Sequence, residues 1–320
     1  MLINLERTPS ESFFNEHYFC DYIELLALVA NCDPVSKNDI YDRFQEDGKI
    51  STSGSDDNYE EEDKWDIKFN GLFNILESRK NIFLDFYPFQ ISNNNTSLSV
   101  KLLQEITNKQ KIYIFLLLNS LQRYLSKSNC SILTSDFEEF SLKAFKEYIP
   151  ITGQIYRFGK SGLEFDRYRG HITDKIDKFA QDLTYKTIYD AHFFANTDNG
   201  DGGLDIVSWI PFENDTNYNN IQIYLGQCAT GKNWLDKKDD TDKFHNFIHF
   251  KGAVQNIMFI PYDGRNNDRK FNEEAKMNRH LFLDRSRLLY LIKSKENDIL
   301  TLNSFQNIVD SVISYEEDII

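Results

Sequence analysis

The chain has 320 residues, of which 41% are hydrophobic and 14% aromatic, and its formal net charge at pH 7 is −14. This length and composition are typical of one or two globular domains and exclude a disordered or fibrous protein. The negative charge excludes nucleic-acid binding through a generally basic surface, so any such site has to be locally basic.

No targeting or membrane segment is expected. The amino terminus, MLINLERTPSESFF, is acidic and lacks the apolar stretch of a signal peptide. The longest apolar runs, such as 112–118, are shorter than the roughly 20 residues that a membrane span requires. The cysteines show no CxxC spacing, so reduced thiols are expected at Cys20, Cys32, Cys130 and Cys228. We therefore expect a cytoplasmic protein without membrane contact.

Residues 1–128 are predicted to form a mainly helical domain, an accessory or partner-binding region. Apolar residues follow helical spacing over 13–45, 65–81 and 100–127. Between the first two helical regions, residues 51–63 (STSGSDDNYEEED) are polar and acidic and predict an exposed loop.

Two serines are predicted to cap helices. Ser36 is followed at Asp39 by an acidic residue, which is the spacing of a capped helix start. Ser135 precedes the amphipathic segment DFEEFSLKAFKEYI, which Pro150 terminates.

Residues 129–320 are predicted to form a mixed α/β domain. Short strands are indicated by β-branched and aromatic runs, and helical spacing returns from residue 280 onward. The predicted strands are 153–159, 204–210, 221–227 and 254–262, with a helix over 174–183.

The strands 204–210 and 221–227 are separated by PFENDTNYNN, a run of turn-forming residues. In an antiparallel hairpin folded about a loop centre near 216, Asp205 lies opposite Gln227. An unpaired carboxylate in an apolar strand is costly, so this position favours a metal site over a simple turn. Oxygen ligands of this kind suit Mg²⁺ or Mn²⁺.

The segments GDGGLDIV and GQC resemble the core of the PD-(D/E)xK nuclease superfamily, the restriction-endonuclease-like proteins, over roughly 135–262. The resemblance implies a mixed sheet flanked by helices. It also implies that Asp205 and Gln227 bind one or two divalent metal ions. A glutamate from an upstream helix completes such sites, and Glu138 in the FEE segment matches it.

The resemblance further implies a catalytic lysine two positions after Gln227, where this chain has Ala229. Lys232 is expected to take that role, because Thr230 and Gly231 allow a tight turn. Other lysines are alternatives, namely Lys237, Lys238 and Lys251. The expected catalytic set is therefore Asp205, Gln227, Lys232 and Glu138.

The implied function is that of a Mg²⁺-dependent endodeoxyribonuclease, acting on DNA rather than RNA. Because a free nuclease endangers its host, we expect a restriction-type antiviral effector whose activity is gated by a protein partner or a homo-oligomer. DNA contacts are expected from a locally basic stretch. Its residues are Arg265, Arg269, Lys270, Arg279, Arg285 and Arg287.

Two alternatives stay open. Gly226, Gly231 and Lys232 reproduce the GxxxxGK spacing of a phosphate-binding P-loop after a strand, although Asn233 replaces the expected Ser or Thr. The second alternative is a nuclease-fold scaffold without activity, which the missing lysine and the negative charge favour.

Overall fold

The structure is a computed structural model. It describes residues 2–9, 16–30, 33–50, 57–101, 105–159, 167–190, 194, 200–215, 217–266, 268–271, 276–277 and 279–315, with 57–62 described by their backbone only. Cys32 and the first part of the predicted acidic loop, 51–56, lie outside these ranges.

The chain folds as two compact units. Unit 1 comprises Met1–Asp136, Pro261–Glu274 and Lys293–Ile320, and unit 2 comprises Phe137–Ile260 and Ala275–Ile292. The predicted division at 128/129 assigned everything after residue 128 to one domain. In the structure the chain leaves unit 1, forms most of unit 2 and returns twice, an organisation set by contacts distant in sequence.

Helices dominate the described part of unit 1. They are α1 (Glu16–Val29), α2 (Lys37–Glu46), α3 (Asp57–Phe83), α4 (Asn108–Ser120), the first part of α5 (Lys127–Lys146), α8 (Glu296–Ile299), a π-helix (Phe305–Val309) and α9 (Asp310–Ile313). The cap predicted at Ser36 is confirmed, since its side chain accepts from the Asp39 amide and the Asp39 carboxylate accepts from the Ser36 amide.

Two predictions about helix starts were wrong. Residues 57–63 begin α3 instead of continuing a loop, and an acidic sequence is favourable at a helix start because it opposes the helix dipole. Ser135 caps nothing, because α5 begins at Lys127 and carries Ser135 in its interior.

Unit 1 also contains a small antiparallel sheet that was not predicted. Its strands are β1 (Val35–Ser36), β2 (Phe89–Ile91) and β3 (Ser97–Val100), in the order β1-β3-β2. In β3 the apolar residues Leu98 and Val100 are buried and alternate with serines, which is the pattern of a half-buried strand.

A buried ionic network holds unit 1 together. Arg79 of α3 is fully buried and lies 2.7 Å from Asp21 and 2.9 Å from Glu24, both on α1. Its Nε lies 3.5 Å from the fully buried Asp263. Burial alone lowers the pKa of Arg79, but Glu24 and Asp21 outweigh it, so the pKa is raised and the guanidinium stays charged.

Unit 2 is built on a five-stranded mixed sheet, which confirms the predicted mixed α/β class. The strands are β4 (Gln154–Arg157), β5 (Ile206–Ile210), β6 (Gln222–Cys228), β7 (Ala253–Phe259) and β8 (Leu281–Leu283), in sequential order. β4, β5 and β6 pair antiparallel, whereas β6, β7 and β8 pair parallel. The helix predicted from 280 begins only after β8, as α7 (Arg285–Ile292), because a short apolar run such as LFL fits either structure.

Helices pack on both faces of this sheet. On one face, Phe145 of α5 makes edge-to-face contacts with Tyr224 of β6 and Phe259 of β7. On the other face, α6 (Ile172–Asp182) contributes Ile176 and Phe179 to a core that includes Ile223 and Leu225 of β6. The alternation of residues along β6 therefore separates the two packing layers.

Three described cysteines are free thiols, Cys20, Cys130 and Cys228. Among the residues that the structure describes, no helix is long and apolar enough to cross a membrane.

Candidate metal centre

The predicted hairpin is confirmed, and it brings Asp205 opposite Gln227. Ile206 pairs with Gly226 in the β5–β6 register, so the preceding Asp205 falls opposite the following Gln227. The Asp205 amide donates to the Gly226 carbonyl at 2.9 Å. The Cys228 amide in turn donates to Asp205 Oδ2 at 2.7 Å. One carboxylate oxygen of Asp205 is thus fixed by the neighbouring strand.

Glu138 of α5 joins Asp205 beside Gly159, which follows β4. A Cβ added to Gly159 would lie 3.2 Å from Asp205 Oδ1 and 3.4 Å from Glu138 Oε2. The two carboxylates therefore face the same small space, which exists because residue 159 has no side chain. Glu138 and Asp205 therefore lie close together, while the role of Glu138 as a metal ligand stays a prediction.

Asp205 lies in surroundings that disfavour the charged form of its carboxyl group. The residue is only 7% exposed. Burial raises the pKa of Asp205 well above its usual range, and the negative charge of Glu138 raises it further. The hydrogen bond from Cys228 and the charge of Lys237 act in the opposite direction. A divalent cation between the carboxylates would stabilise both in their charged forms.

Gln227 supplies a buried amide oxygen. Its Nε2 donates to Asp240 Oδ2 at 3.2 Å, whereas its Oε1 is buried and accepts no hydrogen bond from any described residue. A buried carbonyl oxygen without a donor is costly. The oxygen donors of Asp205, Glu138 and Gln227 are of the kind that Mg²⁺ and Mn²⁺ prefer, so the chemistry of these residues fits the predicted metal.

Basic side chains around the centre were missed by the sequence analysis. Arg157 of β4 donates to Glu138 Oε2 at 2.9 Å. Lys175 of α6 is 2% exposed and donates to the carbonyls of Gly159 at 3.1 Å and Gly200 at 3.2 Å. Lys175 could have been found, because it lies on the apolar face of α6, where a lysine requires polar partners.

Lys232, the predicted catalytic lysine, is exposed in the segment after β6. Lys237, one of the alternatives, ends a 3-10 helix (Trp234–Lys237), and its charge acts on the Asp205 carboxylate.

The segment that matches a P-loop has a different backbone in the structure. Gly226 is part of β6 and pairs with Ile206 on one side and Ile257 on the other. Lys232 is followed by the four-residue 3-10 helix instead of an α-helix. A P-loop cradles phosphate with a loop and a helix start, whereas here the first glycine lies within a strand and only a short 3-10 helix follows the lysine.

The predicted basic surface is divided between the units. Arg265, Arg269 and Lys270 belong to unit 1, whereas Arg279, Arg285 and Arg287 belong to unit 2. Arg285 is fully buried, so its prediction as a DNA contact was wrong. Arg269 donates to both carboxylate oxygens of Asp263, at 3.0 and 3.1 Å. Lys270, Arg279 and Arg287 are exposed.

Comparisons with known protein families, with curated proteins and with solved structures find no match to this chain.

Proposed function

We propose that this protein is a divalent-metal-dependent nuclease that hydrolyses phosphodiester bonds, with DNA as its substrate. The observation that carries the proposal is the convergence of Asp205 and Glu138 on the space beside Gly159. Gln227 adds a buried oxygen at the same end of the β5–β6 hairpin. Mg²⁺ or Mn²⁺ is the proposed cofactor, and its ligands would come from these three side chains.

The protein groups around the centre have distinct roles in this proposal. The Cys228 amide holds one oxygen of Asp205, and Arg157 holds one oxygen of Glu138, so both carboxylates are oriented before substrate binds. When bound, the cation supplies charge that polarises the phosphoryl oxygen and lowers the pKa of water. Lys237 is the side chain that we propose to place positive charge where the transition state becomes negative.

The decisive test is plasmid cleavage. Supercoiled DNA incubated with the chain and Mg²⁺ or Mn²⁺ is expected to be nicked, and Asp205→Asn is expected to lower the rate at least about 1000-fold. Asp215→Asn is the matched control, because Asp215 is exposed in the loop at the opposite end of the same hairpin. No cleavage by the wild-type chain while Asp205-dependent metal binding persists would favour the scaffold alternative.

We further propose that the activity serves antiviral defence and is gated by a protein partner or by self-association. The net charge of −14 opposes binding of the isolated chain to bare DNA, and helical unit 1 offers a surface for regulation. The expected result is weak cleavage by the isolated chain and stronger cleavage by the assembled form. Full activity of a monomer on bare DNA would contradict this gating.

A further inference from the structure

A second group of possible metal ligands lies in unit 2. It consists of Asp239, Asp242 and His280, and one ligand atom of each lies within 4.8 Å of the others. Asp239 and Asp242 are exposed. Asp239 directly precedes the 3-10 helix Asp240–Asn246, and Asp242 lies on it. His280 directly precedes β8. Acidic side chains often cluster at a protein surface without a ligand.

The buried ring of His280 is the feature of this group that points to a ligand. Its side chain is 6% exposed, and both ring nitrogens are buried without a hydrogen bond to any described residue. Nε2 lies 3.1 Å from Asp239 Oδ1, yet the two atoms are not aligned as donor and acceptor. Two ligands that each bind one cation at about 2.1 Å lie about 3 Å apart. The observed 3.1 Å is compatible with two ligands of one metal ion, as it is with an ion pair.

We propose that Asp239, Asp242 and His280 form a binding site for a transition-metal ion, Zn²⁺ in the first instance. A neutral imidazole suits Zn²⁺ and its neighbours in the transition series, whereas Mg²⁺ prefers an all-oxygen set. The two exposed carboxylates leave further coordination positions to water. The site uses none of the proposed ligands of the nuclease centre and does not depend on the proposed nuclease function.

The ring of His280 is held in place by its surroundings. The ring is held by a stacked contact with Phe282 of β8, with centroids 6.2 Å apart. A neutral imidazole in a fixed orientation loses little on binding a cation.

The neighbouring polar groups leave the site open. Lys238 Nζ is 3.8 Å from Asp239 Oδ2 and donates to the carbonyl of Lys276 at 3.0 Å. A long ion pair of this kind at an exposed carboxylate is weak and readily displaced. The side-chain amide of Asn256 on β7 donates to Asp242 Oδ1, which orients that carboxylate.

The proposed site is connected to the nuclease centre through one residue. Asp240 lies between Asp239 and Asp242 in sequence and accepts the hydrogen bond from Gln227. A metal that binds both flanking aspartates would fix the backbone that carries Asp240. The proposed role of this ion is thus to hold the short helix, and with it Asp240, against Gln227.

The test is zinc binding to the tag-free, chelator-treated full chain, measured by titration calorimetry in excess Mg²⁺. The wild-type chain is expected to bind Zn²⁺, and both Asp242→Asn and His280→Gln are expected to weaken binding at least about tenfold. His245→Gln is the matched control, since His245 is exposed on the same 3-10 helix but outside the group.

Asp205→Asn separates this proposal from the nuclease proposal, because zinc binding is expected to be unchanged in that variant. Far-ultraviolet circular dichroism establishes that each variant is folded. If His280→Gln does not fold, the zinc affinity of Asp242→Asn alone tests the site, because Asp242 is exposed and its substitution should not affect folding. Zinc affinity equal to wild type in Asp242→Asn, or lost in Asp205→Asn instead, would overturn the assignment.

Discussion

At the scale of single residues, Asp205 has a backbone that fits the sheet and a carboxylate that is unfavourably buried. It continues the β5–β6 pairing through its backbone, while its carboxylate is buried beside Glu138. Because the folded state raises the pKa of Asp205, the metal-free folded chain binds more protons than the unfolded chain between pH 3.8 and the raised value. Stability contributed by this group is therefore present at low pH and is lost as the pH rises through that window.

Removal of this charge is expected to stabilise the metal-free protein. At neutral pH, Asp205→Asn should raise the free energy of unfolding by about 1–3 kcal/mol, because a buried charge is replaced by an amide that still accepts from Cys228. Thermal unfolding of both proteins in the presence of a chelator measures this difference in stability.

Changes of pH and the addition of a metal ion serve as controls for the comparison of Asp205→Asn with wild type. The difference between Asp205→Asn and wild type should shrink as the pH falls, since the wild-type carboxyl becomes neutral. It should reverse on addition of Mn²⁺, which binds at the Asp205 centre only in the wild type. A variant that is less stable than wild type in chelator would show that the carboxylate is satisfied without a cation.

The catalytic lysine is the second question at this scale. Lys237→Gln is expected to lower cleavage about 100-fold, whereas Lys232→Gln should change it little, because the charge of Lys237 is among those that lower the pKa of Asp205. Single-turnover cleavage rates of the two variants decide between them. The opposite ranking would return the role to Lys232.

The residues of the centre differed in how far the sequence could predict them. Asp205 and Gln227 followed from the loop centre, because antiparallel pairing fixes which residues face each other. Glu138 came from the resemblance alone. Arg157 and Asp240 could not be predicted, since both act through contacts between elements whose packing no local pattern encodes.

At the scale of elements, the β5–β6 hairpin depends on a glycine within a strand. A Cβ on Gly226 would lie 2.8 Å from Phe259 Cε2 and 3.2 Å from Ile206 Cβ. Gly231, five residues later, has no atom within 4 Å of the corresponding position. The two glycines of the P-loop-like motif therefore have different structural requirements.

Alanine substitution of the two glycines tests this difference. Gly226→Ala is expected to lower the free energy of unfolding by about 1–3 kcal/mol through overpacking. Gly231→Ala should leave stability unchanged or slightly higher. Urea unfolding of both variants provides the measurement. Equal stabilities would mean that Phe259 moves aside without penalty, and loss of ATP binding in Gly231→Ala would revive the P-loop alternative.

The sequence predicted elements best where a long periodic pattern existed. α1, α2, α6 and the strands β5, β6 and β7 follow such patterns. The three short strands in the 35–100 region and β8 were not predicted, because runs of two to four residues carry little periodicity that distinguishes strand from turn or helix. β4 has only four residues, but it lies within the longer predicted segment 153–159.

At the scale of the whole molecule, the network around Arg79 joins segments that are far apart in the sequence. Asp21 and Glu24 lie near the start of unit 1, whereas Asp263 lies in the segment that returns after β7. Asp263 also accepts from Arg269. The charges of the network are fully buried at Arg79, Asp21 and Asp263, so each depends on the others for compensation.

Arg79→Met is expected to lower the free energy of unfolding by about 3–5 kcal/mol, because it removes the cation beside the buried Asp21 and Glu24. Lys80→Met is the control, since Lys80 is the adjacent and exposed residue of α3, and it should lie within about 0.5 kcal/mol of wild type. Denaturant unfolding compares them. A variant Arg79→Met as stable as wild type would mean that the carboxylates take up protons at no net penalty.

The discontinuity of unit 1 also has a consequence for synthesis on the ribosome. Residues 1–136 emerge first, but they lack Pro261–Glu274 and Lys293–Ile320 until most of the chain has been made. Phe115 on α4 stacks on Phe305, and Lys111 forms an ion pair with Asp310. Neither contact can form until the last part of the chain has been synthesised. During that interval apolar helices are exposed, which is the condition that recruits chaperones. The sheet of unit 2, completed by β8, can form before the helices of unit 1 are fully covered.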